Sequence, residues 1–292
     1  MQGEASHLEP LLAGGSEGGS WKGVLAVFVM APFWFVGFDT IPQAAEERAP
    51  GQKIRRLGLY IVLSIVGSTL FYLLVMLAVG MAAPWQETVQ QELPTAAAFE
   101  AAFESPVLVK LVLSAGVIGL LTSWNGFFLA GTRVLFALGR GRIIDARFGQ
   151  AHPRFGTPTR AILFSGLVTA LAACLGRGAL IAFIDVGSFC IAVAFLGVAL
   201  SLLQLRKTDP HAKRPYRLPG GRMVACLAAA GSLFILVAMI VPWSPVALVW
   251  PLEWLILLPL CLVGIAFWGR GRRQRDKISE QERDRLILDD GD

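Results

Sequence analysis

Charge is what this chain of 292 residues has least of. Asp, Glu, Lys and Arg make up 16% of it while apolar residues make up 55%, against roughly 25% charged residues in an ordinary soluble domain. The shortage excludes a typical water-soluble globule. Histidine is also scarce: His7, His152 and His211 all fall outside the apolar runs, which excludes a buried histidine cluster for a metal. The four cysteines, Cys174, Cys190, Cys226 and Cys261, lie inside apolar runs. They have neither metal-ligand spacing nor a place in a loop disulfide, and read as small core hydrophobes. There is no nucleophile–base arrangement, metal motif or phosphate-binding Gly loop. No catalytic residue, no cofactor and no metal is therefore expected, and the chain does not read as an enzyme.

What is present is apolar sequence in runs of about 20 residues, the length that crosses roughly 30 Å of hydrocarbon. About seven spans are expected, over 21–47, 56–82, 107–138, 159–176, 179–205, 222–242 and 249–268. They define a transmembrane domain over 21–268, flanked by a polar segment 1–20 and a basic, charged tail 269–292. Residues 1–20 are Gly-rich and carry Glu4, Glu9 and Glu17 without the basic n-region of a secretory signal. Of the 26 basic residues, all but Lys22, Lys110 and Arg177 fall in the tail or in the loops after the first, third and fifth spans and the span ends that flank them. That asymmetry puts those loops in the cytoplasm, the N-terminus outside and the C-terminus inside. It also accounts for the net charge of +5 without nucleic acid as a partner. The expected location is the plasma membrane, multi-pass, with the bilayer as partner.

The first span contains Pro32, Gly37 and Pro42. Pro42 removes a donor and biases Ile41 away from helical angles, and Gly37 tolerates angles closed to other residues. Thr40-Ile41-Pro42-Gln43 fits a capping box with Pro in the first turn of a new helix. The sequence thus ends one helix near Val36 and starts another near Thr40. Backbone groups of Phe35, Val36, Gly37 and Phe38 freed by such a break must face protein or a water-filled cavity. Asp39 adds an ionisable group at membrane depth. It stands either at a substrate or coupling-ion site or as a cap for the second half-helix.

Other polar residues leave alternatives open. Thr122, Ser123 and Asn125, near the middle of the third span, read either as cation ligands or as hydrogen bonds between helices. Glu46 and Glu47 at the end of the first span read as an inner gate, with Arg133 and Arg140 as available partners, or as ordinary surface carboxylates. Thr95 to Phe103 can form a short helix in the outer loop, either a lid or an interfacial helix. Trp243 to Trp254 reads as an aromatic belt with Glu253 at headgroup level.

Four stretches taken together resemble the amino acid–polyamine–organocation (APC) superfamily of permeases. Phe35-Val36-Gly37-Phe38-Asp39-Thr40 followed by Ala44-Ala45-Glu46-Glu47 resembles its sixth helix. Thr132-Arg133-Val134-Leu135-Phe136-Ala137-Leu138-Gly139-Arg140 resembles the end of its eighth. Thr157-Pro158 resembles the opening of the ninth, and Arg214-Pro215-Tyr216-Arg217-Leu218-Pro219-Gly220 the stretch before the eleventh.

The resemblance implies an all-α membrane protein, the second half of a LeuT-type inverted-repeat fold, with helices six to twelve represented and the first five absent. It implies secondary active transport of an amino acid or related amine, by alternating access and coupled to H+ or Na+. Phe33, Trp34, Val36, Gly37, Phe38 and Asp39 would hold the substrate, and Thr122 and Ser123 would lie near a cation position. A missing N-terminal half is then the expected partner, and the chain alone is expected to be inactive. A seven-helix receptor and a non-functional truncated remnant are the alternatives.

Overall fold

The computed structural model describes residues 5–9, 21–43, 54–211, 214, 216–217 and 219–288. Among them the regular structure is helical: α1 (Trp21–Phe35), α2 (Thr40–Gln43), α3 (Ile54–Ala82), α4 (Trp85–Thr88), α5 (Pro94–Phe103), α6 (Pro106–Arg140), α7 (Thr159–Ala173), α8 (Leu180–Thr208), α9 (Gly221–Ile240), α10 (Leu252–Arg275) and α11 (Glu280–Leu288), with three short 3-10 turns. The all-α expectation holds. Among the described residues six segments are long and apolar enough to cross a bilayer, with α1 and α2 counted as one. The expected span 159–176 is a helix of 15 residues. At 1.5 Å per residue it reaches only about 22 Å, because Gly176 takes a positive φ of 73° and turns the chain.

The chain divides into two compact units. The first comprises residues 1–28 and 58–126. Its 3-10 turn Ala5–Leu8 docks on the end of α3, where the His7 ring nitrogen Nδ1 meets the Met81 carbonyl at 3.0 Å. Leu8 occupies the space over Gly80, 2.6 Å from where a Cβ would stand. The Gln86 amide donates to the Glu9 carbonyl at 3.1 Å. The short outer helix read from TAAAFEAAF is present as α5, with Phe99 and Phe103 stacked at 5.6 Å, one turn apart as helical spacing requires. The side chains of α3 are not buried among the described residues. Leu63, Leu70, Leu74 and Met76 all stay open, which apolar residues do at little cost when the surrounding solvent is hydrocarbon.

The second unit comprises residues 29–57 and 127–292. Its centre is the packing of α8 on α9, with α10 against α8. Many of the buried residues of the two helices are small, Ala182, Ser188, Ala192 and Ala199 of α8 and Ala225 and Ser232 of α9, beside the larger Val186, Ile235, Leu236 and Met239. Small side chains let helix backbones approach closely, so that dispersion acts where lipid removes the usual hydrophobic drive.

Glu253, in the tryptophan-rich outer turn, is covered by protein rather than left open like its aromatic neighbours. It is 4% exposed, and the Val249 amide donates to its Oε2 at 2.7 Å. It also hydrogen-bonds the Asp185 carboxyl of α8. Trp243 and Trp250 remain open, at 88% and 74% exposure. The Glu253 carboxylate thus reaches back to the turn before α10.

Candidate functional site

The first span is interrupted where expected. The helix stops at Phe35, residues 36–39 form a turn, and α2 begins at Thr40. Gly37 has φ 130°, outside the range that residues with a Cβ adopt comfortably. The Asp39 carboxylate Oδ1 accepts from the Gly37 amide at 2.7 Å. The Thr40 hydroxyl donates to the Gly37 carbonyl at 2.6 Å, and the Thr40 amide donates to the same oxygen at 3.1 Å. Both polar groups of Gly37 are therefore satisfied locally. The amides of Phe38 and Asp39 have no backbone partner among the described residues.

The capping box read from Thr40 and Gln43 is not made. Thr40 turns its hydroxyl back to Gly37 rather than forward into α2, because the Gly37 carbonyl lies within one turn and needs a donor. Gln43 Oε1 is buried without a partner among the described residues.

Three aromatic or small residues face the break from positions far away in the chain. A Cβ on Gly37 would meet the Phe127 ring of α6 at 4.0 Å. Phe38 packs on Phe195 of α8 with ring centroids 5.8 Å apart. The edge of Phe33 lies on Gly187 of α8, 3.1 Å from where a Cβ would stand. Phe33 and Trp34 meet edge to face at 5.6 Å, and Trp34 is 53% exposed. Val36, Gly37, Phe38 and Asp39 are half-buried. The break is thus an apolar, aromatic-walled place holding one carboxylate and two amides without a backbone partner among the described residues. It can hold an ammonium group by Asp39, a carboxylate by the amides, and an apolar side chain against the rings.

The other anticipated residues are less concentrated. Thr122 donates to the Ile118 carbonyl of its own helix at 2.8 Å, a backbone contact common for hydroxyls in helices. Thr122, Ser123 and Asn125 are exposed and belong to the first unit. Arg140 stands over the Phe136 ring at 5.7 Å, and Arg133 is half-buried. Glu46 and Glu47 lie outside the described residues.

Comparison with known proteins gives consistent results. Residues 8–267 match the family model described as amino acid permease. A methylthioribose transporter of Bacillus subtilis (strain 168) is 26% identical over 75% of this chain and 46% of its own length. The branched-chain amino acid permease BcaP of the same organism is 26% identical over 88% of this chain and 52% of its own. A D-serine/D-alanine/glycine transporter of Escherichia coli O6:H1 is 27% identical over 86% of this chain and 54% of its own. The chain spans about half the length of the curated relatives it matches.

Proposed function

We propose a transport function from one premise: this chain belongs to the amino acid permease family. In our reading it forms part of a secondary active transporter of an amino acid or related amine, driven by H+ or Na+. The substrate sits at the break between α1 and α2, held by Gly37, Phe38 and Asp39 and walled by Phe33, Trp34 and Val36. The observation that carries this reading is the break itself. A membrane helix leaves backbone groups unpaired only where protein or a water-filled cavity receives them, and half-helix ends at that depth bind charged substrate groups in other transporters. The aromatic surroundings from Phe127 and Phe195 favour an amino acid with an apolar side chain.

Thr122, Ser123 and Asn125 are the residues we assign to the coupling cation, and Glu46 and Glu47 with Arg133 and Arg140 to an inner gate. The basic loops and tail face the cytoplasm of the plasma membrane in this reading. The test is radiolabelled uptake by cells expressing the complete reading frame that carries this chain. Branched-chain, small D-, cationic and methylthio-sugar substrates are offered in turn. Uptake of an amino acid that collapses with an uncoupler or with Na+ replacement, and that Gly37→Ala abolishes, is the expected result. A membrane-inserted protein that takes up none of them, or that Gly37→Ala leaves fully active, removes the proposal.

A further inference from the structure

The start of α10 meets α8 through two acids. Glu253 of α10 is buried and hydrogen-bonds the carboxyl of Asp185 on α8, which is half-buried. An ionised carboxylate only accepts hydrogen bonds, whereas a protonated one also donates. A hydrogen bond between the two carboxyls therefore contains a proton that they share. The basic residues of α8 and α10 lie towards the opposite ends of those helices, so the pair stands on the side away from the basic loops.

A second, independent observation lies one turn further along α8. Ser188 is fully buried, at 0% exposure, and its hydroxyl has no hydrogen-bond partner among the described residues. Other hydroxyls on the apolar helices bond back to their own backbone: Ser64 to Ile61, Ser114 to Lys110, Thr122 to Ile118 and Thr169 to Ser165, each at 2.8 Å. Ser188 forgoes that bond, although a buried donor left unmade is a cost to the fold. At about 100° per residue, Ser188 stands about 60° around the helix from Asp185 and about 20° from Phe195. Phe195 packs on Phe38 at the break, and the adjacent Gly187 meets the edge of Phe33. The unused hydroxyl is thus on the strip of α8 between the acid pair and the break, within i, i+3 reach of Asp185.

The turn 241–251 before α10 carries no charged residue. On the elements packed here, the other titratable or charged residues short of the basic ends are Cys190 of α8 and Cys261 of α10. Arg222 and Cys226 are at the far end of α9, Arg177 is in the 3-10 turn before α8, and Lys22 is at the start of α1.

We propose that Asp185 and Glu253 form a proton-binding site and that Ser188 is the alternative partner of Asp185 when the proton leaves. With one H+ bound, the O–H of one carboxyl donates to the other and ties α8 to α10. Release of that H+ to solution leaves two carboxylates and breaks the bond between them. Asp185 then accepts from the Ser188 hydroxyl, one turn nearer the residues of α8 that wall the break. Acid residues within membrane helices serve proton relays in transporters. This inference rests on the transport reading and narrows its coupling ion to H+, in place of Na+ at Thr122, Ser123 and Asn125.

The protein from the complete reading frame is purified and reconstituted into liposomes. Infrared spectra near neutral pH, where exposed acids are ionised, are expected to show the C=O stretch of a protonated carboxyl. Asp185→Asn and Glu253→Gln are each expected to remove it. Both variants should lose uptake driven by a pH gradient, while exchange of labelled for unlabelled amino acid continues and shows that the fold is kept. Ser188→Ala is expected to keep the band but to move its titration up by about one pH unit, the loss of one hydrogen bond to the ionised form. A parent without the band, a band that neither acid substitution removes, or gradient-driven uptake unchanged in both variants overturns the proton site. A Ser188→Ala titration identical to the parent's overturns the switch to Ser188. A parent that shows the band but exchanges no amino acid removes the transport reading instead, and with it the assignment of this proton to coupling.

Discussion

The break at residues 36–39 and the closed end at residues 138–150 both depend on glycine, and they use it in opposite ways. Gly37 is there for its backbone angle. Its φ is 130°, and the nearest neighbour to a Cβ would be the Phe127 ring at 4.0 Å. Gly139, Gly149 and Gly271 are there for their lack of a side chain. A Cβ on Gly139 would overlap Gly149, and one on Gly271 would overlap the Ile143 carbonyl. At the break a backbone is opened and its polar groups are partly released. At the closed end two backbones are pressed together and a tail is locked onto a loop. A glycine in space marks a place where something else can enter, whereas a glycine under contact marks a place where nothing can.

Substitution separates the two uses. The largest effect is expected for Gly139→Ala, with Gly271→Ala beside it. Backbone atoms cannot move aside as the tip of a side chain can, so overpacking there costs about 3 kcal/mol, the upper end of its usual range. The thermal midpoint in detergent should fall sharply or the protein should fail to accumulate. A normal midpoint would mean that the loop and the helix end separate freely, and the contrast between the two glycine types would collapse. Gly37→Ala is expected to rank second, at about 1–3 kcal/mol for a Cβ at that backbone angle. Its signature is different: the protein stays folded and membrane-inserted while uptake is lost.

The break was legible in the sequence because its causes are local. Pro42, Gly37 and Thr40 act on their own backbone within a few residues, and helix termination at Phe35 with restart at Thr40 follows from them. The family was legible for the same reason, through motifs of four to ten consecutive residues, and the match over 8–267 bears it out. The walls of the break were not legible. Phe127, Gly187 and Phe195 sit on α6 and α8, and nothing in their own neighbourhoods distinguishes them from other lipid-compatible residues. The closed end was hidden likewise, since Gly139 and Gly149 gain their meaning only from each other. The partners of Glu253 were hidden too, because the tryptophans around it dominate the local pattern while it binds the Val249 amide and Asp185 of another helix. Local chemistry reveals where a helix ends, but not what it ends against.

Two smaller substitutions sharpen what the opened end is for. Asp39→Ala removes the acceptor of the Gly37 amide and is expected to cost about 1 kcal/mol, as for other lost caps. Asp39→Asn keeps an oxygen in the same place and should retain most of that stability. The pair divides the two roles of the residue. Uptake lost in Asp39→Asn with the midpoint kept assigns the charge to the substrate or coupling ion. Uptake kept in Asp39→Asn and impaired only in Asp39→Ala reduces the carboxylate to a cap.

The smallest effect is expected at Gly187→Ala. A Cβ there comes within 3.1–3.3 Å of the edge of Phe33, tight but against a side chain, so the ring can yield by a few tenths of an ångström. Stability should change by less than about 1 kcal/mol, because a flexible neighbour relieves overpacking that a backbone cannot. If Phe33 lines the substrate site, the displaced ring narrows it from one side. Competition uptake should then shift toward smaller amino acids, with KM rising most for the bulkiest side chain. A Gly187→Ala protein with unchanged selectivity would detach Phe33 from the site and leave the opened end defined by Gly37, Phe38 and Asp39. A large loss of stability would instead mean that α8 meets the break as rigidly as Gly139 meets Gly149.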